Sequence, residues 1–290
     1  MACQICKSKK SSSSLHIRDY EYNYKRTVEY KTCNDCSLIY RNKISKEAIK
    51  KLYEINYAPS YGGFLYDFLK KINAFYEWKK IQYISKTQFK QKEKKLKFLD
   101  IGCGKGYLLN KIATNKLYNC IGIDINQDNE KKKFNLKFYK TSYDDFKLIK
   151  KINPNFIILN NFIEHIENLH EFKKLLGIIN KKSGLIIITP DGASKSKKTF
   201  GNFWSGYHSP RHVNIFNKKN FEAFLNSNNL SYKIINIIDP LASLSSFKNC
   251  IVDIKKDFTV KKFLSLFRHF IFTLLDFKVK SRLLVICFKK

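Results

Sequence analysis

The sequence predicts an α/β protein, with a doubly wound, seven-stranded, mainly parallel sheet and a small cysteine-containing module before it. Residues 96–290 alternate short apolar runs with helical stretches, a pattern typical of parallel strands connected by helices. Residues 1–45 instead contain two Cys-x2-Cys pairs, which are typical of a small metal-binding module. We therefore expect three segments: a module over residues 1–45, a helical collar and linker over 46–95, and the sheet domain over 96–290.

The composition indicates a folded protein with an unusual charge. The chain has 290 residues, and its 44% hydrophobic content is sufficient to fill a core. The formal net charge of +31 favours a polyanionic partner, such as nucleic acid or an anionic membrane surface. Only six of the 55 basic residues are arginine, however, and arginine is the side chain best suited to bidentate recognition of phosphates and bases. Compositional bias and a polyanion-binding surface both stay open as explanations.

The four cysteines of the N-terminal segment are Cys3, Cys6, Cys33 and Cys36, and 26 residues separate the two pairs. Each pair places two thiolates on one tight turn, and four thiolates complete a closed tetrahedral zinc site. Disulfides are the alternative, but they are rare in the reducing cytoplasm. We expect this chain in the cytoplasm because the sequence shows neither a signal peptide nor a membrane-spanning segment. The module is therefore predicted to be a zinc-ribbon-like unit with one structural zinc ion.

The remaining elements follow from hydrophobic periodicity. Apolar and aromatic residues at helical spacing over residues 46–89 predict the collar, and a charged linker follows it. Seven short apolar runs predict the strands of the sheet, at residues 97–101, 119–124, 137–140, 156–159, 184–189, 232–238 and 282–288.

A glycine-rich segment follows the first predicted strand, with the sequence Gly-Cys-Gly-Lys-Gly at 102–106. Glycines at such a place let the chain turn sharply into a helix and approach a ligand without a Cβ in the way. A dinucleotide-binding G-x-G-x-x-G loop would need glycine at position 107, which is Tyr107. A P-loop would need serine or threonine after Lys105, which Gly106 follows instead. Neither of these motifs fits.

The pattern of Asp100, Gly102, Gly104 and Gly106 resembles the D-x-G-x-G-x-G motif of class I S-adenosylmethionine-dependent methyltransferases. In that family the acid helps to position the methionine part of the cofactor, and the glycines pass beneath it. The second strand ends at Asp124, 18 residues past Gly106, where a carboxylate can accept hydrogen bonds from both ribose hydroxyls. The resemblance implies a Rossmann-like methyltransferase fold that binds S-adenosylmethionine.

The resemblance continues after the third and fourth strands. Ser142 and Tyr143 lie where the family contacts adenine, and the choice among neighbouring residues stays open. The segment from Asn160 to Glu167 looks like the one that follows strand four in a large subgroup acting on small molecules. An acid–histidine pair is common there, and this chain has Glu164 and His165. We assign Asn160, the first residue of this segment, to cofactor binding.

The loop after the fifth strand is similar to one that covers the acceptor in bacterial enzymes thought to modify surface polysaccharides. Its candidate acceptor-binding residues, together with two tyrosines of the collar, are Trp204, Tyr207, His208, Arg211, Tyr57 and Tyr61. The arginine is a candidate for binding an acceptor phosphate. For the tyrosines, core packing is the alternative.

Methyl transfer from a sulfonium is an in-line displacement, and the acceptor often has to lose a proton. Histidine is the natural base near neutral pH. We therefore assign His165 and His212 as candidate catalytic bases, with Glu164 placed to orient a ring. A structural role is the alternative for each histidine.

The sequence thus predicts methyl transfer to a small molecule, namely a sugar or nucleotide-linked sugar of a surface glycan pathway. An RNA or protein methyltransferase is the alternative, with the basic surface and zinc module used for recognition. Against that alternative, Asn160-Asn161-Phe162 stands where enzymes acting on base amines carry Asn-Pro-Pro-aromatic. A non-catalytic adaptor is disfavoured because the cofactor motif is intact. Weak association with a membrane surface stays open.

Overall fold

The computed structural model describes residues 2–12, 14–21, 24, 27–45, 47–48, 63–88, 95–126, 132–133, 135–178, 183–256, 259–275 and 280–290. The strands in these ranges are β1 (Leu15–Ile17), β2 (Val28–Thr32), β3 (Ile39–Arg41), β4 (Lys97–Ile101), β5 (Asn119–Asp124), β6 (Lys132–Lys133), β7 (Leu136–Lys140), β8 (Phe156–Asn160), β9 (Gly184–Pro190), β10 (Asn214–Ile215), β11 (Leu230–Ile238) and β12 (Lys280–Lys289). The α-helices are α1 (Phe64–Gln88), α2 (Tyr107–Ile112), α3 (Phe146–Ile152), α4 (Leu169–Ile178), α5 (Lys195–Phe200), α6 (Lys218–Ser227), α7 (Pro240–Lys256) and α8 (Val260–Leu275). Three 3-10 turns cover Ile163–His165, Gly201–Phe203 and Ser205–Tyr207.

The central sheet has the order β11-β12-β9-β8-β4-β5-β7-β6. The five strands from β9 to β7 in that order run parallel, while β12 pairs antiparallel with both β9 and β11. All seven predicted strands form within two residues of their predicted ends, and the short edge strand β6 is added. The predicted α/β fold class is confirmed.

Helices cover the sheet on both faces, so its central strands are buried on both sides. In β8, Phe156 and Ile158 point into one apolar cluster, and Ile157 and Leu159 point into the other. This alternation is the two-residue period of a strand. Each of these side chains contributes roughly 1.5–3 kcal/mol by leaving water. The uninterrupted apolar run therefore specifies a central strand.

The sheet reverses its winding at β4, which pairs with β5 on one side and with β8 on the other. The connections from β4 and β8 consequently leave in opposite directions and open a crevice at the carboxyl ends of these strands, where ligands of this fold class bind. Asp100 in β4, Asp124 at the end of β5 and Asn160 at the end of β8 all lie at this edge.

A second sheet of four strands has the order β1-β2-β3-β10. Its first three strands come from the predicted module, but β10 comes from residues 214–215 of the predicted catalytic domain. Cys3, Cys33 and Cys36 are buried in the same apolar cluster as Phe216. The module is therefore packed on the central domain, and the domain boundaries at residues 45 and 95 stay predictions.

The predicted collar is described in part, since α1 lies within it. The two collar tyrosines assigned to the acceptor, Tyr57 and Tyr61, lie outside the described residues. Across the described ranges, none of the helices combines the length and the apolar character needed to cross a bilayer.

Candidate active site

The glycine loop after β4 has a backbone that only glycine adopts readily. Gly102, Gly104 and Gly106 have φ angles of +70°, +50° and +70°, in the left-handed region. A Cβ added at Gly102 would lie 2.2 Å from Cδ2 of Phe162, whereas at Gly104 no described atom lies within 4 Å of an added Cβ. The loop is thus closed on the side of Gly102 and open at Gly104, where a ligand can approach the backbone.

Asp124 at the end of β5 holds this loop in place. Its Oδ2 accepts a hydrogen bond of 2.9 Å from the Gly104 N–H, and its Oδ1 accepts one of 2.9 Å from the Asn126 N–H. Each carboxylate oxygen can accept a further hydrogen bond. The geometry therefore gives Asp124 a role in shaping the loop and leaves it able to bind ribose hydroxyls.

Asp100 lies in a cluster of buried acids. Its Oδ1 is buried and has no hydrogen-bond partner within the described residues. Burial raises the pKa of Asp100 well above its usual value, and the charges of Glu77 and Asp124 raise it further. An unsatisfied carboxylate beside two other acids is suited to a cationic group, and the methionine part of S-adenosylmethionine carries an ammonium and a sulfonium.

Sequence reasoning missed Glu77, which α1 brings to the same place. Nδ2 of Asn160 donates a 3.1 Å hydrogen bond to Oε2 of Glu77, so the predicted cofactor residue Asn160 is joined to an acid from the collar. The only local signal was an acidic residue between Tyr76 and Trp78 in an apolar stretch.

Arg282 of β12 completes the acidic cluster. Its Nη2 lies 2.7 Å from Oε1 of Glu77, and its Nε lies 3.0 Å from Oδ2 of Asp239. Nδ2 of Asn73 donates to Asp239 over 3.1 Å. The arginine and Glu77 side chains are each only 4% exposed, so these opposite charges form an ion pair away from water. This network ties α1 to the carboxyl edge of the sheet.

An aromatic pair flanks the other side of the glycine loop. The rings of Tyr143 and Phe162 lie 5.5 Å apart at an angle of 66°, and Phe162 is the residue that closes the loop at Gly102. The carbonyl of Ser142 accepts a hydrogen bond from the N–H of Asp145, whose side chain caps α3 by accepting from the Leu148 N–H. The loop carrying Ser142 and Tyr143 therefore lies beside the glycine loop, and Phe162 is an additional residue that the sequence did not single out.

The predicted catalytic histidines meet at the same end of the sheet. Ring centroids are 4.7 Å apart for His165 and His212, and 4.9 Å apart for His208 and His212. Glu164 is fully buried, and its Oε2 accepts a 2.9 Å hydrogen bond from the hydroxyl of Thr189. Its Oε1 lies 3.9 Å from Nε2 of His212, which is beyond hydrogen-bond distance.

Burial controls the charge of this cluster. Burial lowers the pKa of His165 to about 3, and the charges of His208 and Arg211 act in the same direction. The pKa of His212 is likewise held well below its usual value by burial and then by the other two histidines. Burial raises the pKa of Glu164 to about 7. At neutral pH, His165 and His212 are therefore uncharged.

A cavity of about 280 Å³ lies beside the histidines. Predicted residues on its wall are His165, Trp204, His208, Arg211 and His212, and they are joined by Tyr66, Lys70, Asp239 and Arg282, which were not predicted. Tyr207 is buried instead between the rings of Trp204 and Tyr30, at centroid distances of 5.4 and 5.3 Å.

The cysteine module braces the loop that carries these histidines. The hydroxyl of Tyr30 donates a 2.9 Å hydrogen bond to the carbonyl of His212, and β10 follows directly to pair with β3. On the other side, the Gln4 side chain donates to the carbonyl of Glu167 and accepts from the N–H of Leu169. The module thus contacts both segments that present histidines to the cavity, a function that its sequence did not indicate.

The four cysteines of the module converge on one point. The sulfurs of Cys3 and Cys36 are 3.5 Å apart, those of Cys6 and Cys33 are 3.4 Å apart, and all four lie within 4.8 Å of one another. Zinc–sulfur bonds of about 2.3 Å in a tetrahedron separate the sulfurs by about 3.8 Å. Burial acts to raise the pKa of Cys33, but backbone hydrogen bonds from Cys36 and Asp35 and side-chain hydrogen bonds from Cys6 and Cys36 lower the value to about 7. Burial raises the pKa of Cys3 and Cys36. The cluster fits a zinc ion, and zinc stays a prediction.

This chain is similar to several solved structures and matches one family model. Solved structures similar to this chain include the plantazolicin methyltransferase BpumL in complex with a triazolic desmethylPZN analog and SAH, at 20% identity and a TM-score of 0.48, covering 84% of this chain and 90% of that one. A SAM-dependent methyltransferase from Archaeoglobus fulgidus is 20% identical with a TM-score of 0.46, covering 78% of this chain and 99% of that one. A search of curated proteins gave no match. A family model described as a methyltransferase domain matches residues 70–233, more than half of the chain.

Proposed function

This chain belongs to the methyltransferase domain family and is an S-adenosylmethionine-dependent methyltransferase, and we propose that it methylates a small, anionic acceptor. The acceptor class that we propose is a sugar or nucleotide-linked sugar of a surface glycan pathway. The observation that carries this proposal is the cavity of about 280 Å³ beside the histidine cluster. Its volume is near the lower end of small-molecule sites, which hold roughly 300–1,000 Å³.

Charge supports an anionic acceptor. Lys70 from α1 and Arg211 from the loop before β10 both line the cavity. Guanidinium and ammonium groups are the usual partners of phosphate and carboxylate oxygens. An acceptor bound by these groups would place its reacting oxygen or carbon near the histidines.

The cofactor would lie along the glycine loop, where it supplies the methyl group on its sulfonium. Asp124 would bind the ribose, Tyr143 and Phe162 would flank the adenine, and the carboxyls of Asp100 and Glu77 would face the methionine ammonium. His165 and His212, with Glu164 behind them, would surround the acceptor atom that loses its proton. The four-cysteine site would hold a structural zinc that keeps the loop of His212 in position. Because that site needs reduced thiols, we place the protein in the cytoplasm.

The proposal is tested by methyl transfer from labelled S-adenosylmethionine to nucleotide sugars, bulk RNA and protein. We expect label in a small acceptor, and Arg211→Gln should raise the KM for an anionic acceptor at least about tenfold, the cost of one charge-assisted hydrogen bond. Arg268→Gln, which removes an exposed arginine from α8, is the matched control and should leave KM unchanged. Label in RNA alone would refute the proposal and favour the alternative that the net charge of +31 suggests.

The histidine role has its own test in the same assay. His165→Ala and His212→Ala should each lower single-turnover rates by roughly 10²–10⁴-fold while affinity for S-adenosylhomocysteine stays nearly unchanged. Rates within a few-fold of wild type for both variants would show that neither histidine handles the acceptor's proton.

A further inference from the structure

Three imidazole rings line the cavity, although a single proton transfer needs only one. One ring nitrogen from each of His165, His208 and His212 lies within 4.8 Å of the other two. We propose that these three histidines bind a divalent transition-metal ion such as Zn²⁺, at a site separate from the four cysteines. Three histidine ligands with one open position are the pattern of zinc sites that bind water or substrate, whereas closed four-ligand sites are structural.

Hydrogen bonds around two of the rings orient them as metal ligands require. Nδ1 of His212 lies 2.7 Å from the carbonyl oxygen of Gly206. A carbonyl only accepts, so Nδ1 carries the hydrogen and Nε2 carries a lone pair. Nε2 of His208 lies 2.7 Å from a carboxylate oxygen of Glu21. A backbone carbonyl and a carboxylate are the outer partners that commonly hold metal-binding histidines in place.

The lone pair of His212 lies near another hydrogen-bond acceptor. Its Nε2 is 3.9 Å from Oε1 of Glu164, a buried oxygen that no described residue hydrogen-bonds. Nδ1 of His165 is also buried and without such a partner in the described ranges. A tetrahedral zinc ion with bonds of about 2.1 Å separates neighbouring ligand atoms by about 3.4 Å. The three ring nitrogens, which lie within 4.8 Å of one another, would close around such an ion, and Glu164 would lie beside it. A proton bound to Glu164 would occupy the gap between Glu164 and His212 in place of a metal ion.

The charges and the free space around the three histidines are compatible with an ion that has one open coordination position. Arg211 lines the same cavity and opposes a cation, while the carboxylates of Glu21 and Glu164 offset that charge. The cavity itself leaves room for a water or an acceptor oxygen on the ion. The catalytic meaning rests on the proposed acceptor. With their lone pairs on the ion, His165 and His212 would act as ligands rather than as bases, and a metal-bound acceptor hydroxyl would release its proton to water more readily. Its oxygen would then form the new bond to the methyl carbon as the sulfur–methyl bond of the cofactor breaks.

The test titrates Zn²⁺ into full-length, zinc-loaded protein that has been dialysed against a weak chelator, so that the cysteine site stays filled. Calorimetry and metal analysis should find one further ion per chain. His165→Ala and His208→Ala should weaken its binding at least about tenfold, since even outer partners of a zinc site contribute that much. His170→Ala, an exposed histidine of α4, is the matched control and should bind the ion as wild type does. Cobalt(II) at the new site should lack the thiolate charge-transfer absorption of the cysteine site.

S-adenosylhomocysteine binding in the same variants reports whether they fold. Where an alanine variant fails that control, Glu21→Gln removes only the outer carboxylate and should weaken zinc binding about 10- to 100-fold. No ion beyond the cysteine site in wild type, or equal binding in all variants, overturns the proposal. Zinc binding without methyl transfer to any small acceptor would instead overturn the proposed acceptor and leave the metal site standing.

Discussion

Replacing Gly104 with alanine tests the cofactor site, and the same replacement at Gly201 is the control for a loss of stability alone. The two glycines have nearly the same positive φ, +50° and +52°, and Gly201 has a ψ of −124°, outside the left-handed helical region. At both positions an added Cβ would meet no described atom within 4 Å. Gly104 lies in the loop assigned to the cofactor, whereas Gly201 ends α5. Both substitutions therefore strain the backbone, in different places.

The strain sets the expected loss of stability. An alanine held at such a positive φ costs about 1–3 kcal/mol. Each kcal/mol lowers Tm by about 2–4 °C in a chain near this length, so Tm should fall by about 2–12 °C. Thermal unfolding without ligand should show this decrease in both Gly104→Ala and Gly201→Ala. Gly102→Ala should lose more, because its Cβ would also overlap the ring of Phe162.

Cofactor binding should distinguish the two variants. The methyl group of Gly104→Ala would occupy the space through which the ligand approaches the loop backbone. We expect the Kd for S-adenosylhomocysteine, measured by calorimetry, to rise at least about tenfold, which corresponds to about 1.4 kcal/mol. Gly201→Ala should bind as wild type does. An unchanged Kd in Gly104→Ala, alongside the expected fall in Tm, would show that the cofactor does not pass against this glycine.

Three further predictions concern the metal, the buried acid and the charge network. Cys33→Ser should remove one zinc ion per chain in metal analysis and lower Tm, and an unchanged zinc content would contradict the cysteine site. Because burial raises the pKa of Asp100 well above its usual value, S-adenosylmethionine should displace a proton from it. Affinity should then increase with pH in wild type but not in Asp100→Asn, and a flat wild-type profile would refute this. Arg282→Met leaves Glu77 and Asp239 buried without their cation and should cost about 3–5 kcal/mol in urea unfolding, whereas a loss below about 1 kcal/mol would show that the network is not stabilising.

Local patterns in the sequence predicted the parts of the site that local forces specify. Strand positions follow from apolar runs, because a strand buried on both faces has no room for polar side chains. The turn after β4 follows from three spaced glycines, because each has a left-handed φ that other residues rarely adopt. Asp124 could be assigned from its distance beyond that turn, since the helix between the first two strands has a restricted length.

Contacts between distant segments had no local pattern to reveal them. Glu77 lies in α1, Asp239 follows β11 and Arg282 lies in β12. Their charges can pair only because α1 lies across the edge of the sheet. The sequence likewise placed His165, His208 and His212 on loops at one end of the sheet, without indicating how closely their rings approach or that Tyr30 braces the loop of His212. Periodicity and turn chemistry act over a few residues and can be read from the chain, whereas charge pairing and the convergence of imidazoles depend on which surfaces the packed core brings together.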